Sequence, residues 1–437
     1  MTVESTMSTA VKTPDIDLDD INLFEPSTLI DPWDAYHKLR DDAPVFYQEA
    51  MNSHVVTRYD LLIQVLRDTE TFSSKFDNVL GAAGFQFLES ATEEEQAKFM
   101  AIAQQMVLPP PTMLTLDPPE HTSYRSLVNR VFTAGNVRKM EPYITEVIEE
   151  TIDTFIDEGK IDYMERFAFP VPLRIIADRL GIPDGEEERK FFNIAATHAA
   201  GALRLTQLTL EESMVRMQYG VDLQKFLIDT ANKRRKDPKD DMITILATAR
   251  LEEEDRPLTD PEIISILNQF LVAGHETTTS TFGWGMLLLC KNPEVQEQLT
   301  DKKLVRSFVE ETLRLEAPVQ GLPRVVTKDT ELGGYPLKAG DVLMLRYGAA
   351  NRDERQFECP NDLDIHRKNA GSQLAFGSGV HHCVGAPLAR QELNLGFPAL
   401  LARMKNIRID EAHGEPMAEP SIILRGLPHL HITFDRR

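Results

Sequence analysis

Residues 376–390 read Phe376-Gly377-Ser378-Gly379-Val380-His381-His382-Cys383-Val384-Gly385-Ala386-Pro387-Leu388-Ala389-Arg390, and no other segment constrains the architecture so tightly. The glycines permit backbone conformations that other residues resist and let the chain approach a flat ligand closely. A helix is predicted to begin just after Cys383, with Pro387 in its first turn, where proline is tolerated. The sulfur then lies where backbone N–H groups point outward and the helix dipole is positive, both of which favour thiolate over thiol. A lone cysteine beside a glycine turn is ordinarily a packing residue. Here Phe376, Gly377, Gly379, His381, Cys383 and Gly385 stand at fixed spacing, an agreement that chance supplies on the order of 10⁻⁵ times at roughly 5% usage per residue type. Cys290 and Cys359 read as packing residues. Three cysteines, an odd number at wide spacing, argue against a disulfide framework and for a reducing compartment. No zinc-type Cys/His spacing occurs.

Upstream, Thr259-Asp260-Pro261-Glu262 is a capping box with proline in the first turn. The helical pattern it opens continues to Cys290, and Asn292-Pro293 ends it. Some thirty residues make a rod of roughly 45 Å. Inside it stands Ala273-Gly274-His275-Glu276-Thr277-Thr278-Thr279, a poor composition for a helix interior. Local rules broken in mid-element point to a site. Threonine hydroxyls can bond back to carbonyls and bend the helix, Gly274 makes the bend cheaper, and a groove there would accommodate a small ligand.

The cysteine segment and the Ala273-Gly274-x-Glu276-Thr277 pattern together resemble the cytochrome P450 family, and the likeness runs from about Pro32 to the C-terminus. It implies a mainly α fold with small β-sheets (α+β), a triangular helix-rich single domain over residues 23–437 behind a flexible segment 1–22. It further implies haem b, with Cys383 as the metal ligand; an anionic sulfur pushes electron density onto the iron and favours O–O cleavage. Phe376, Gly377, Gly385, Ala273 and Gly274 would lie against the cofactor, Thr277 would hydrogen-bond bound dioxygen, and Glu276 would relay protons from solvent. His121 and Arg125, four apart on a helix, would join Arg324 and His381 in holding the two propionates, since buried carboxylates call for cations and donors. Glu311 and Arg314 share a helix face and, with Arg367, match a family network that is structural rather than catalytic. By family position the substrate pocket would include Phe85, Phe87, Leu88, Val272, Val319, Leu322 and Ile423, with Arg204 a possible carboxylate contact.

The activity implied is insertion of one atom of O2 into an apolar molecule, a hydrocarbon, terpene, steroid or aromatic. Electrons would come from NAD(P)H through a separate ferredoxin, docked on cations such as Arg125, Arg130, Arg138 and Lys139. A peroxide-driven haem-thiolate enzyme and a non-catalytic helical ligand-binding protein are the alternatives. The former has no need of Glu276 and Thr277, and the latter leaves the Cys383 segment unexplained.

The rest of the chain is consistent with this reading. Of 437 residues, 42% are hydrophobic and 27% charged, the balance of a globular protein rather than a disordered or collagen-like one. Lys plus Arg number 47 against 69 Asp plus Glu, a net charge of -22, which disfavours nucleic acid as a partner. Residues Met1 to Asn22 contain no apolar core of a signal peptide, and no run of 18 apolar residues occurs, so a soluble, cytoplasmic, monomeric protein without membrane contact is expected. Short helices are predicted at Pro32–Arg40 and Tyr59–Arg67, strands at Ser53–Thr57, Glu331–Leu337, Val342–Leu345 and Ile422–Phe434, and helices through most of His121–Leu299.

Overall fold

The computed structural model describes residues 16–76, 91–201, 208–251 and 254–437. Its axis is the helix Asp260–Lys291, 32 residues and hence about 48 Å long. The capping box forms as its sequence predicts: Thr259 Oγ1 accepts from the Glu262 amide and the Glu262 carboxylate accepts from the Thr259 amide at 2.7 Å. Ile266, Phe270, Phe282 and Leu289, which point in different directions around this helix, are all buried, as expected of a helix enclosed by its neighbours. Helices Pro170–Leu180, Lys302–Leu315 and Ala386–Arg403 pack against it. At Gly285 the last of these comes so close that a Cβ would stand 2.3 Å from the Phe397 ring, so only glycine admits it.

The sheets lie to the side of this helical body. A five-stranded sheet has the order Val45–Gln48, Ser53–Val56, Val342–Leu345, Pro323–Val326, Phe72–Ser73. Its central pairing, Leu343 with His54, is parallel, and the others are antiparallel. A second sheet joins Met404–Ile409, His431–Arg436 and Lys160–Asp162.

Three expectations change. Glu331–Leu337 is a hairpin, Thr330–Leu332 with Tyr335–Leu337, turned at Gly333 and Gly334, whose φ values are +59° and +84°; two successive left-handed residues are what a two-residue hairpin loop demands. Ile422–Phe434 is a strand only from His431 on, preceded by a single bridge between Leu424 and Val319, because Pro428 cannot donate to a ladder. The lead-in is docked from residue 16: Ile21 and Leu23 are buried against Tyr36, Leu39, Val55 and Met344.

Candidate active site

Gly377 and Gly379 adopt φ +66° and +71°, and at Gly379 a Cβ would lie 2.4 Å from the Leu66 carbonyl oxygen. A side chain is therefore disfavoured by conformation at both positions, and at Gly379 by space as well. The Cys383 amide donates to the Phe376 carbonyl at 2.9 Å and closes the loop. Helix Ala386–Arg403 follows, with Pro387 in its first turn. Its Arg390 lies 4.3 Å above the Phe376 ring and pairs with Glu310 at 2.5 Å, which holds the ring in place.

Cys383 opens onto a cavity yet is enclosed by protein on its other sides. Burial pushes its thiol up; the Gly385 and Ala386 amides together with Arg125 and Arg390 pull it down without overcoming burial. A coordinated metal deprotonates such a thiol outright.

The cavity measures about 1130 Å³. The cysteine loop contributes Phe376, Gly377, His381, Cys383 and Gly385 to its wall, and the long helix contributes Val272, Ala273, Gly274 and Thr277. The helix runs unbroken through this stretch. The expected interruption amounts to hydroxyl back-bonding, from Thr277 to the Ala273 carbonyl at 2.7 Å and from Thr281 to the Thr277 carbonyl at 2.9 Å.

Arg125 and Arg324 also line the cavity, and the His121 ring stands 4.3 Å from that of His381. These groups converge, and the carboxylate that acts on Arg324 and His121, that of Asp117, does so from a distance rather than as an ion pair. Arg324, 3% exposed, donates to the Pro323 carbonyl at 2.7 Å, and among the described residues no carboxylate comes within ion-pair distance of it. Among the described residues neither ring nitrogen of His121 has a hydrogen-bond partner, nor does Nε2 of His381. Burial first, then Arg324, His121 and Arg125, pushes the His381 imidazole down to about 3; burial and then Arg125 lower His121. A buried guanidinium with no carboxylate paired to it, beside buried imidazole nitrogens with no hydrogen-bond partner, is costly. A porphyrin carrying two carboxylates and an iron that accepts a sulfur ligand satisfies this set, so the residues fit haem.

Val272, Val319 and Leu322 line the same cavity, as expected. Ile423 does not: it is 2% exposed, and its carbonyl accepts from the Gln320 amide at 2.7 Å, which fixes that segment within the core. Phe85, Phe87, Leu88 and Arg204 lie outside the described residues. Glu276 is buried and borders a second, smaller cavity of about 420 Å³ with Glu165, Thr279, Glu419 and His429, not the one that holds Thr277. Sequence reasoning missed Tyr347 and a polar patch of the large cavity, Arg216, Gln224 and Gln269. Gln269 was within reach, since it stands one turn before Ala273 on the same face.

Beside the cysteine loop, Arg314 clasps Glu311 at 2.6 and 2.9 Å, and Arg367 Nε stands 3.0 Å from the same carboxylate; Glu311 and Arg314 are fully buried. Arg125 donates to the His382 carbonyl, and Arg130, Arg138 and Lys139 are exposed further along that side. Among the described residues no helix is long and apolar enough to cross a membrane.

A family model described as Cytochrome P450 matches residues 203–432. The chain is 35% identical over 410 residues to Cytochrome P450 109 of Bacillus spizizenii, covering 92% of each chain. It is 34% identical over 327 residues to the mycinamicin IV hydroxylase/epoxidase of Micromonospora griseorubida, covering 74% of this chain and 79% of that one. Its structure superimposes on that of CYP109E1 from Bacillus megaterium in complex with corticosterone with a TM-score of 0.78 at 30% identity, covering 93% of this chain and 99% of the other. The cysteine in its glycine turn, the buried Arg324 and unpartnered imidazoles near it and the long helix along the same cavity have one explanation that these likenesses share: the chain belongs to the cytochrome P450 family, haem-thiolate monooxygenases with haem b as cofactor.

Proposed function

We propose that this enzyme, with residues 23–437 acting as one catalytic domain, hydroxylates or epoxidises an apolar molecule of steroid to macrolide size, using electrons delivered by a separate ferredoxin. The observation that carries the reading is the large cavity, in which Cys383 and Thr277 share one chamber walled mostly by apolar side chains such as Met113, Phe132, Ile176 and Leu223. The relatives that bind corticosterone or bear the name mycinamicin hydroxylase/epoxidase support that size class. Arg216 and Gln269 suit a hydroxyl or carbonyl on the far part of such a substrate, whereas Gln224 is bonded at both ends to the Val107 backbone.

Cys383 would hold the iron, Phe376, Gly377, Gly385, Ala273 and Gly274 would bear on the porphyrin faces, and His121, Arg125, Arg324 and His381 would hold its propionates. Bound there, the haem supplies activation of dioxygen and transfer of one oxygen atom to substrate. Thr277 spends its proton on the Ala273 carbonyl, so its oxygen faces the cavity as an acceptor and can hold a water or another donor in place. We read Glu276, one residue back and turned to the smaller cavity, as the group that passes protons toward that threonine from the Glu165 and Glu419 side. Exposed Arg130, Arg138 and Lys139, with Arg125 at the cysteine loop, would offer cations to an acidic ferredoxin.

The test is turnover of a steroid panel, with spin-state titration to select binders, in the presence of NADPH, ferredoxin reductase and ferredoxin. Oxygenated product that depends on the reductant and slows several-fold in Glu276→Gln is expected. Product formed equally well from peroxide alone, at a rate indifferent to Glu276→Gln, would favour the peroxide-driven alternative instead.

A further inference from the structure

Away from the large cavity, the second sheet assembles a cluster that the oxygenase chemistry does not use. His431 opens the strand His431–Arg436 and is in register with Asp162 on the antiparallel neighbour, so the two side chains stand on one face of the sheet. His429, two residues earlier, shares that face because side chains alternate along an extended chain, while Leu430 between them is fully buried. Donor atoms of Asp162, His429 and His431 all lie within 4.8 Å of one another.

Asp162 is held in place. Its Oδ1 accepts from the Met164 and Leu430 amides at 3.0 and 3.1 Å, which leaves Oδ2 turned to His429 Nδ1 at 2.6 Å. His431 is steadied by His413, whose ring stacks on it with centroids 3.7 Å apart, and His413 in turn stands 3.4 Å from Asp410. A ligating carboxylate that is itself held by hydrogen bonds, as Asp162 is, is a feature of metal sites. A zinc-class ion with bonds of about 2.0–2.2 Å sets its donors roughly 3–3.5 Å apart, and His429, 69% exposed, can swing through the difference.

We propose that Asp162, His429 and His431 form a binding site for one divalent transition-metal ion, independent of the haem. Two imidazoles and one carboxylate suit zinc, nickel or copper, whereas calcium and magnesium call for oxygen donors. Three protein ligands leave a position for water. Asp162 and His429 also border the cavity that Glu276 faces, which places the ion at its rim.

The experiment is calorimetric titration of the haem-loaded protein with zinc chloride, with stoichiometry checked by equilibrium dialysis. His429→Ala, His431→Ala and, as a control, His366→Ala are titrated alongside. The expected result is one equivalent bound with micromolar affinity, weakened at least about tenfold in each of the first two variants and unchanged in the control. An unaltered carbon monoxide spectrum in every variant confirms that the fold is intact. Asp162→Asn is unsuitable because that carboxylate also supports two backbone amides. Absence of uptake, or equal affinity in the parent and in both His variants, overturns the site.

Discussion

Arg314→Met strikes the buried network beside the cysteine loop. The guanidinium holds both oxygens of Glu311, at 2.6 and 2.9 Å, and donates to the carbonyls of Asn351, Pro360 and Asp362 at 3.0, 2.5 and 3.1 Å. Methionine roughly matches its length, but leaves the Glu311 carboxylate buried with only Arg367 at 3.0 Å and the Asp364 amide at 3.1 Å. Removing one partner of a buried pair costs about 3–5 kcal/mol, because the survivor keeps its desolvation penalty. At about 2.1 cal/mol/K per residue, the unfolding entropy of a 437-residue chain is about 0.9 kcal/mol/K, so the Tm should fall by about 3–5 °C. Scanning calorimetry of the haem-loaded protein reads this directly. Arg314→Lys keeps the charge but loses the two-pronged geometry and should fall between. The exposed pair Arg250–Asp255 supplies the comparison: Arg250→Met should move the Tm by no more than about 1 °C. An Arg314→Met protein melting within about 1 °C of its parent would refute the argument and show that apolar packing replaces the network without loss.

Four further outcomes are expected. Cys383→Ser should abolish the far-red-shifted Soret band of the reduced carbon monoxide complex, and its persistence would place the iron ligand elsewhere. Thr277→Ala should keep oxygen consumption but divert reducing equivalents to hydrogen peroxide, measured as the ratio of product to NADPH consumed; an unchanged ratio would dispense with the hydroxyl. Gly379→Ala forces a Cβ to 2.4 Å from the Leu66 oxygen at φ +71° and should lower the haem-bound fraction, with a cost of at least about 1–2 kcal/mol; full occupancy at the parent's Tm would contradict it. Burial pushes the Glu262 carboxyl up, but hydrogen bonds from Arg256, Tyr124 and Thr259 outweigh this and hold it at about 2 against an ordinary 4.5. Its contribution is therefore present above pH 4.5 and lost as the pH falls through 2. Glu262→Gln should melt about 1–2 °C lower at neutral pH after allowance for solvent screening, and the gap should close on acidification.

Much of this was determined by the chain before any folding is considered. The bounds of the long helix follow from Thr259–Glu262 and Asn292, and the cysteine turn follows from glycines whose positive φ no other residue takes up readily. Such features are properties of contiguous residues, where caps, turns and side-chain spacing are set by local sterics and hydrogen bonding. What the tertiary structure alone decided concerns pairs brought together from afar. Glu276 and Thr277 are about 100° apart on the helix, and only the packing of neighbouring elements turns one toward the large cavity and the other toward the small one. Likewise Cys383 and His382 meet Arg125 only through the packing of distant helices, and Asp162 meets His429 and His431 only through strand register. Burial and juxtaposition depend on how distant segments fill space together, a quantity that no short stretch of sequence contains.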